Sequence, residues 1–254
     1  MDKIAAVVIA CNEERNIERC LRSLEGVADE TVVVDSGSTD GTVALCRAMG
    51  VEACFHEWEG FAAQKNFANS LVHQPWLLSL DADEALSDTL RESLLQLKQE
   101  GLRRDTVYEL SRLTNYCGRW IRHCGWYPDA KLRLWPTGTA HWEGTIHEQL
   151  RFASPPARVE RVRGDLLHYS YYTVEEHVKQ ADAFTTLTAR EAYADGRRAT
   201  MWDLVTRPRW KFVRDYLFKG GFLDGAAGYQ VCKISAFATF LKYSKLRHLA
   251  QRDR

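Results

Sequence analysis

Three carboxylates, Asp81, Asp83 and Glu84, fall within four positions at the end of the apolar run Trp76–Leu80. Carboxylates that close repel one another at neutral pH unless positive charge sits among them. An Asp-x-Asp at a strand end suits a divalent cation. Hard oxygen ligands favour Mg2+ or Mn2+, and such ions often keep substrate phosphates as further ligands. On this reading a metal carrying a diphosphate neutralises the cluster. The alternative is that Asp83 and Glu84 open the helix after Leu86, where carboxylates complement the dipole. Two further polar stretches end apolar runs. One is Asp35-Ser36-Gly37-Ser38-Thr39-Asp40-Gly41, with the make-up of a loop beside a nucleotide or of a plain turn capped by Asp40. The other is Cys11-Asn12-Glu13.

The elements that would position these groups follow from pattern. Ile4–Ala10 has the length and composition of a buried strand. Asn12 can cap a helix with Ile17, Cys20, Leu21 and Leu24 at helical spacing. Glu30–Asp35 predicts a second strand, 42–49 a helix stopped by Gly50, 51–56 a short strand, 60–71 a helix and 76–80 a fourth strand. Strands alternating with helices imply a mostly parallel sheet covered by helices, with ligands at the carboxyl ends of its strands. All three polar clusters fall on that rim. An amphipathic helix is expected over 87–101, and short alternating strands and loops from 107 to about 170. A further helix is expected over 173–194. The tail from about Met201 interleaves Arg207, Arg209, Lys211, Arg214 and Lys219 with Trp210, Phe212, Tyr216, Leu217 and Phe222. Gly220-Gly221 and Gly225/Gly228 are expected to break it into short pieces. Such a segment suits an anionic leaflet, or a helix packed on its own domain with a solvated basic face.

Composition narrows the function. The 254 residues are 45% hydrophobic, enough for one substantial core with an appended part. Lys+Arg and Asp+Glu are 34 each, so nothing draws the whole chain to nucleic acid. The seven cysteines are scattered, without a CxxC pair, and read as reduced thiols of a cytosolic protein. No run reaches the ~18–20 apolar residues that span a bilayer, and the N-terminus does not read as a secretion signal. The first strand lacks a following G-x-G-x-x-G, and no Walker lysine motif occurs, which disfavours dinucleotide cofactors and P-loop chemistry.

Taken in order, VVIACNEERNIERCLRSL, VVVDSGSTDGT, GFAAQKNFA, LLSLDADE and GTIHEQL resemble the family 2 glycosyltransferases of GT-A (Rossmann-like) fold. More narrowly, the chain is similar to the bacterial lipopolysaccharide-core β-1,4-glucosyltransferase subgroup. The resemblance covers nearly the whole chain. One departure is Ala10-Cys11, where many relatives have Pro or Thr.

The resemblance implies inverting transfer of a sugar, glucose foremost, from a UDP-sugar to a lipid-linked inner-core saccharide, with Mg2+ or Mn2+. It implies Cys11, Asn12 and Glu13 lining the nucleoside pocket, with Asp35, Ser36 and Asp40 near base and ribose. Lys65 would touch the nucleotide, Asp81 ribose or metal, and Asp83 the metal. His168 would reach the metal or pack structurally. Glu148, in the late His-Glu motif, is the candidate base. Glu143, Asp129 and Glu84 compete for that role, and a salt bridge to Arg151 or Arg133 is the alternative for Glu148. Trp126, Asp129 and His147 are the acceptor-side candidates.

The implied layout is a catalytic domain over 1–172, with a nucleotide-sugar half (1–100) and an acceptor half (101–172), then a helical extension over 173–254. The implied location is cytoplasmic, peripheral on the inner membrane. Competing readings are a different donor such as ADP-heptose, a sugar nucleotidyltransferase, or a non-catalytic carbohydrate-binding module. The nucleotidyltransferase is disfavoured because CNEERN stands where a Gly-rich basic loop belongs, and the module leaves Asp35, Asp81 and Asp83 without purpose.

Overall fold

The seven residues of β1 (Ile4–Ala10) are all buried, as expected of a parallel strand covered on both faces. The computed structural model describes residues 1–144 and 148–252. After β1 come α1 (Ile17–Ser23), β2 (Glu30–Asp35), α2 (Thr42–Ala48), β3 (Ala53–Phe55), α3 (Phe61–Ser70), β4 (Trp76–Asp81), β5 (Glu84–Leu86) and α4 (Asp88–Glu100). Then follow β6 (Thr106–Tyr116), β7 (Arg119–Ile121), β8 (Asp129–Pro136), β9 (Ala140–Glu143), β10 (Gln149–Phe152) and β11 (Arg158–Tyr171). The rest of the described chain holds the α-helices α5 (Val174–Ala194), α6 (Met201–Val213) and α7 (Gly225–Arg252), with short π and 3-10 turns between α6 and α7.

The main sheet has the order β3-β2-β1-β4-β8-β6-β11-β5, with β7 on β6. Strands β3, β2, β1 and β4 are parallel, while β8 is antiparallel to both β4 and β6. This is the α/β sheet with flanking helices read from the sequence. Strand order reverses at β1, which lies between β2 and β4. Register sets Asp35 beside Ala10 and Asp81 beside Ile9. Two carboxylates therefore flank the end of β1 at a topological switch point, the crevice where such sheets take ligands.

The chain divides into two compact units, Met1–Arg112 with Asp129–Tyr169, and Leu113–Pro128 with Ser170–Arg254. Leu113–Pro128, read from the sequence as acceptor half, clusters with the helices. In the first unit one core packs α1 and α4 against a sheet face through Ile17, Leu21, Leu90 and Leu94. The other face holds Val7, Leu77, Trp135 and Trp142. In the second unit Tyr116, Ile121 and Cys124 pack against Val231 and Cys232 of α7.

Three expectations need correction. Residues 107–170 are not all short strands, since β6 has 11 residues and β11 has 14. Glu84 does not open a helix: it begins β5, which pairs with β11, and α4 starts later behind the Ser87 cap. Gly228 does not break the tail, because α7 runs unbroken from Gly225 to Arg252. A Cβ on Gly228 would lie 2.0 Å from the Gly221 carbonyl oxygen. Glycine there permits close helix contact, not a stop.

Candidate active site

The loops after β1 and β2 are laced together by side chains. Asn12 adopts a left-handed φ of 57°, tolerated by Asn. Its N–H donates to Ser38 Oγ at 2.8 Å, and its Oδ1 accepts from Thr39 N–H at 2.8 Å. Glu13 N–H donates to Thr42 Oγ1 at 2.7 Å, and Glu14 N–H to Asp40 Oδ2 at 3.1 Å. Asp35 is buried and accepts from the N–H groups of Gly37 and Ser38, both at 2.8 Å, and from the Ser38 hydroxyl. Ser36 Oγ accepts from Gln64 Nε2 at 2.9 Å. Of the nucleoside-side candidates, Asn12, Asp35 and Asp40 thus shape the rim through internal bonds. Cys11 is exposed and Glu13 is half-buried beside them.

At the end of β4 the positive charge among the carboxylates comes from the chain itself. Arg133 of β8, 3% exposed, points one terminal nitrogen at Glu84 Oε1 (2.6 Å) and Asp81 Oδ2 (3.0 Å). Glu84 is fully buried, and its other oxygen accepts from Asp81 N–H at 3.1 Å. Arg112 reaches Glu84 at 3.4 Å and Asp129 at 2.7 Å, and Lys131 reaches Asp129 at 3.0 Å. On the other side Lys65 of α3 lies 3.0 Å from Asp81 Oδ1 and 3.1 Å from Glu148 Oε1. Acids and bases therefore alternate from Glu148 through Lys65, Asp81, Arg133, Glu84, Arg112 and Asp129 to Lys131. Burial raises the Asp81 carboxyl, but Lys65 and Arg133 outweigh it and hold it well below the usual carboxylate range. For Asp129 burial again raises, and Arg112 and Lys131 win. For Arg133 burial lowers, and Glu84 and Asp81 reverse the direction.

Asp83 stands outside this ladder. Its Oδ2 lies 3.1 Å from His168 Nε2, and its carbonyl accepts from Tyr169 N–H at 2.8 Å. The two metal candidates are thus brought together, one oxygen donor and one nitrogen donor, both half-buried. They fit a divalent ion that keeps substrate phosphates as its remaining ligands. Among the described residues no three His, Cys, Asp or Glu side chains converge as a metal site. Glu13 lies within electrostatic reach of Asp83. Burial lifts its carboxyl to about 7, with Asp83, Asp40 and Asp81 adding to the rise against an opposing hydrogen bond from Asn16.

The described acceptor-side candidates belong to different units. Asp129 lies in the first unit, spent on Arg112 and Lys131. Trp126 lies in the second, packed edge-on against Tyr116 and His177. His147 lies outside the described residues. Trp135 and Trp142 are buried and pack against each other. Asn66 anchors Trp142 with reciprocal 2.8 Å bonds to its backbone. The competitor Glu143 pairs with His141 at 2.8 Å on the exposed β9–β10 ribbon. Glu148 takes neither arginine suggested as its partner; Lys65 holds it. Sequence reasoning missed Arg133 and Arg112 as the cations of the cluster. The available signal was Asp129, Lys131 and Arg133 alternating along a strand with Leu132 and Leu134, which marks one charged face.

Residues 5–133 match the family described as Glycosyl transferase family 2. The chain belongs to that family. Full-length relatives bear the same name for their activity. "Lipopolysaccharide core biosynthesis glycosyltransferase LpsC" of Rhizobium meliloti is 31% identical over 96% of this chain and 91% of its own. An uncharacterized glycosyltransferase of Rickettsia typhi is 29% identical over 100% of this chain and 90% of its own. Among solved structures, glucosyl-3-phosphoglycerate synthase from Mycobacterium tuberculosis has 20% identity and a TM-score of 0.37, covering 45% of this chain and 44% of that one. An overlap of that size assigns no chemistry here. The family 2 chain is thus a glycosyltransferase, with its polar rim at the strand ends of an α/β sheet.

Proposed function

We propose that this family 2 enzyme transfers a sugar, glucose foremost, from a UDP-sugar to a lipid-linked lipopolysaccharide inner-core saccharide with inversion. The observation that carries the mechanism is Glu148, a carboxylate joined through Lys65 to Asp81 at the switch-point rim. The acceptor hydroxyl attacks the anomeric carbon, Glu148 takes its proton, and the diphosphate leaves from the opposite face. A positioned general base of this kind contributes ~10²–10⁴-fold. One displacement inverts the centre, so one base suffices. Asp83 and His168 would hold the divalent ion, which supplies Lewis-acid stabilisation of charge on the departing diphosphate. The rim formed by Cys11, Asn12, Glu13, Asp35, Ser36 and Asp40 takes the nucleoside. The inner-core acceptor is supported by the 31% identity to LpsC over nearly the whole chain.

Peripheral contact with an anionic membrane completes the proposal. No helix among the described residues is long and apolar enough to cross a membrane. Over Met201–Lys219, five Lys/Arg face two Asp. Trp202 is 76% and Phe218 73% exposed, with Trp210, Phe222 and Leu223 exposed as well. Cations interleaved with large apolar groups suit a leaflet surface.

A donor panel tests the assignment. With Mg2+ or Mn2+ present, one UDP-sugar should raise the melting temperature and be slowly hydrolysed, and Asp83→Ala should abolish the response. A response to ADP-heptose alone would change the donor and keep the reaction class. Silence toward every nucleotide-sugar would overturn the proposal.

A further inference from the structure

Lys65 is 3% exposed, and its ammonium has three protons to place. Two carboxylates, Asp81 Oδ1 at 3.0 Å and Glu148 Oε1 at 3.1 Å, and the face of Trp142, 4.8 Å to the ring centroid, surround it. The hydrogen bond goes to Glu148, while Asp81 and the Trp142 face contribute an ion pair and a cation–π contact. The side chain is therefore a strut between the rim and the candidate base. Glu148 is held through Oε1 alone, and no bond to Oε2 is found among the described residues.

We infer that Lys65 is a positioning residue for proton transfer: it fixes the Glu148 carboxylate through Oε1 and presents Oε2 to the acceptor hydroxyl. The inference rests on the reading of Glu148 as the base. In the step it serves, the acceptor O–H bond breaks and its proton goes to Oε2, while the oxygen's electron pair forms the new bond to the anomeric carbon. The bond from that carbon to the diphosphate oxygen breaks, and its pair leaves with the diphosphate. Glu148 becomes neutral, and Lys65 stays paired with Asp81, whose second oxygen Arg133 holds at 3.0 Å. No buried charge is stranded at any point. Among the described residues Glu148 forms its ion pair with Lys65, while on the β9–β10 ribbon Glu143 pairs with His141 at 2.8 Å and with Arg151 at 3.6 Å.

The test compares Lys65→Met, Lys65→Arg and Glu148→Gln in the full chain. Steady-state kcat and donor KM are measured, with the pH profile of kcat. The acidic limb of the kcat profile should move in Lys65→Met. Its kcat should fall ~10–100-fold, within the range of general-base contributions, with donor KM little changed. Lys65→Arg keeps the charge and should keep the limb in place with an intermediate kcat. A raised donor KM with unmoved kcat and limb would make Lys65 a donor ligand and overturn the inference. If Lys65→Met does not fold, Lys65→Arg decides by the same split between kcat and KM. Full activity in Glu148→Gln would instead remove the base assignment itself. An inactive Glu148→Gln beside an unmoved limb in Lys65→Met removes only the role of Lys65.

Discussion

Replacing Arg133 with methionine should be among the most damaging single changes in the first unit. Arg133 contacts Glu84 at 2.6 Å and Asp81 at 3.0 Å with almost no exposure. Methionine keeps much of the volume and removes the charge. Asp81 would retain Lys65, but Glu84 would be left with Arg112 at 3.4 Å and one backbone N–H. Breaking a buried pair by deleting one partner costs about 3–5 kcal/mol, against a total stability of about 5–15 kcal/mol for a typical domain. At about 2–4 °C per kcal/mol, the melting temperature should fall by roughly 6–20 °C. Urea unfolding followed by tryptophan fluorescence measures the change. The companion variant Arg133→Met/Glu84→Leu removes both charges, and it should recover about 2 kcal/mol or more, because an apolar replacement of a buried pair is often neutral. Acid adds a signature. The folded-state pKa of Asp81 is depressed, so its contribution to stability is present above the unfolded value near 3.9 and is lost as pH falls below it. Arg133→Met removes one of the two cations behind that depression, so its stability should fall less steeply in acid. A single-mutant loss under about 1 kcal/mol, or a double mutant weaker than the single, would refute the ladder as a structural element.

Three further outcomes follow from the geometry. Glu13 has its folded-state pKa raised to about 7, so it disfavours the folded state as pH climbs from about 4.5 to 7; Glu13→Gln should flatten the fall in melting temperature between pH 5 and pH 8. Trp210→Ser with Phe218→Ser should lower co-sedimentation with vesicles containing anionic phospholipid, and high salt should weaken binding of the unaltered protein; equal binding by both proteins removes the leaflet surface. Gly228→Ala drives a methyl against the Gly221 carbonyl and should cost about 1–3 kcal/mol in urea unfolding, whereas an unchanged midpoint would mean the backbone yields freely there.

Much of the rim was legible in the sequence because its signals are local. Apolar runs ending in polar groups mark β1, β2 and β4, and β1 and β2 have the bounds read from pattern alone. Asp83 and His168 lie 3.1 Å apart, though 85 positions apart in sequence. What the sequence hid is register. Arg133 reaches Asp81 because β8 lies antiparallel on β4, with Leu134 beside Leu78. No spacing rule links positions 81 and 133, so a metal was the natural first choice to balance the cluster. Lys65 was named from the sequence as a nucleotide contact, but its pairing was hidden for a related reason: α3 turns it inward, where a lone lysine would be costly and Asp81 and Glu148 make the burial tolerable. Gly228 misled in the other direction, since a glycine required by a close contact has the same letter as one that ends a helix.

The two units are interleaved along the chain, and this has a consequence during synthesis. Tyr116, Ile121 and Cys124 belong to a segment whose partners, Val231 and Cys232, emerge from the ribosome far later. Cys124 and its contact Gly228 are 104 positions apart. At ~5–20 residues per second that interval lasts roughly 5–20 s. Throughout it the nascent chain carries this apolar segment without Val231 and Cys232, while the sheet around β1 and β4 already has its sequence in hand. Ribosome-bound chains stalled between residues 130 and 225 should therefore engage chaperones at 113–128 and release them once α7 is complete.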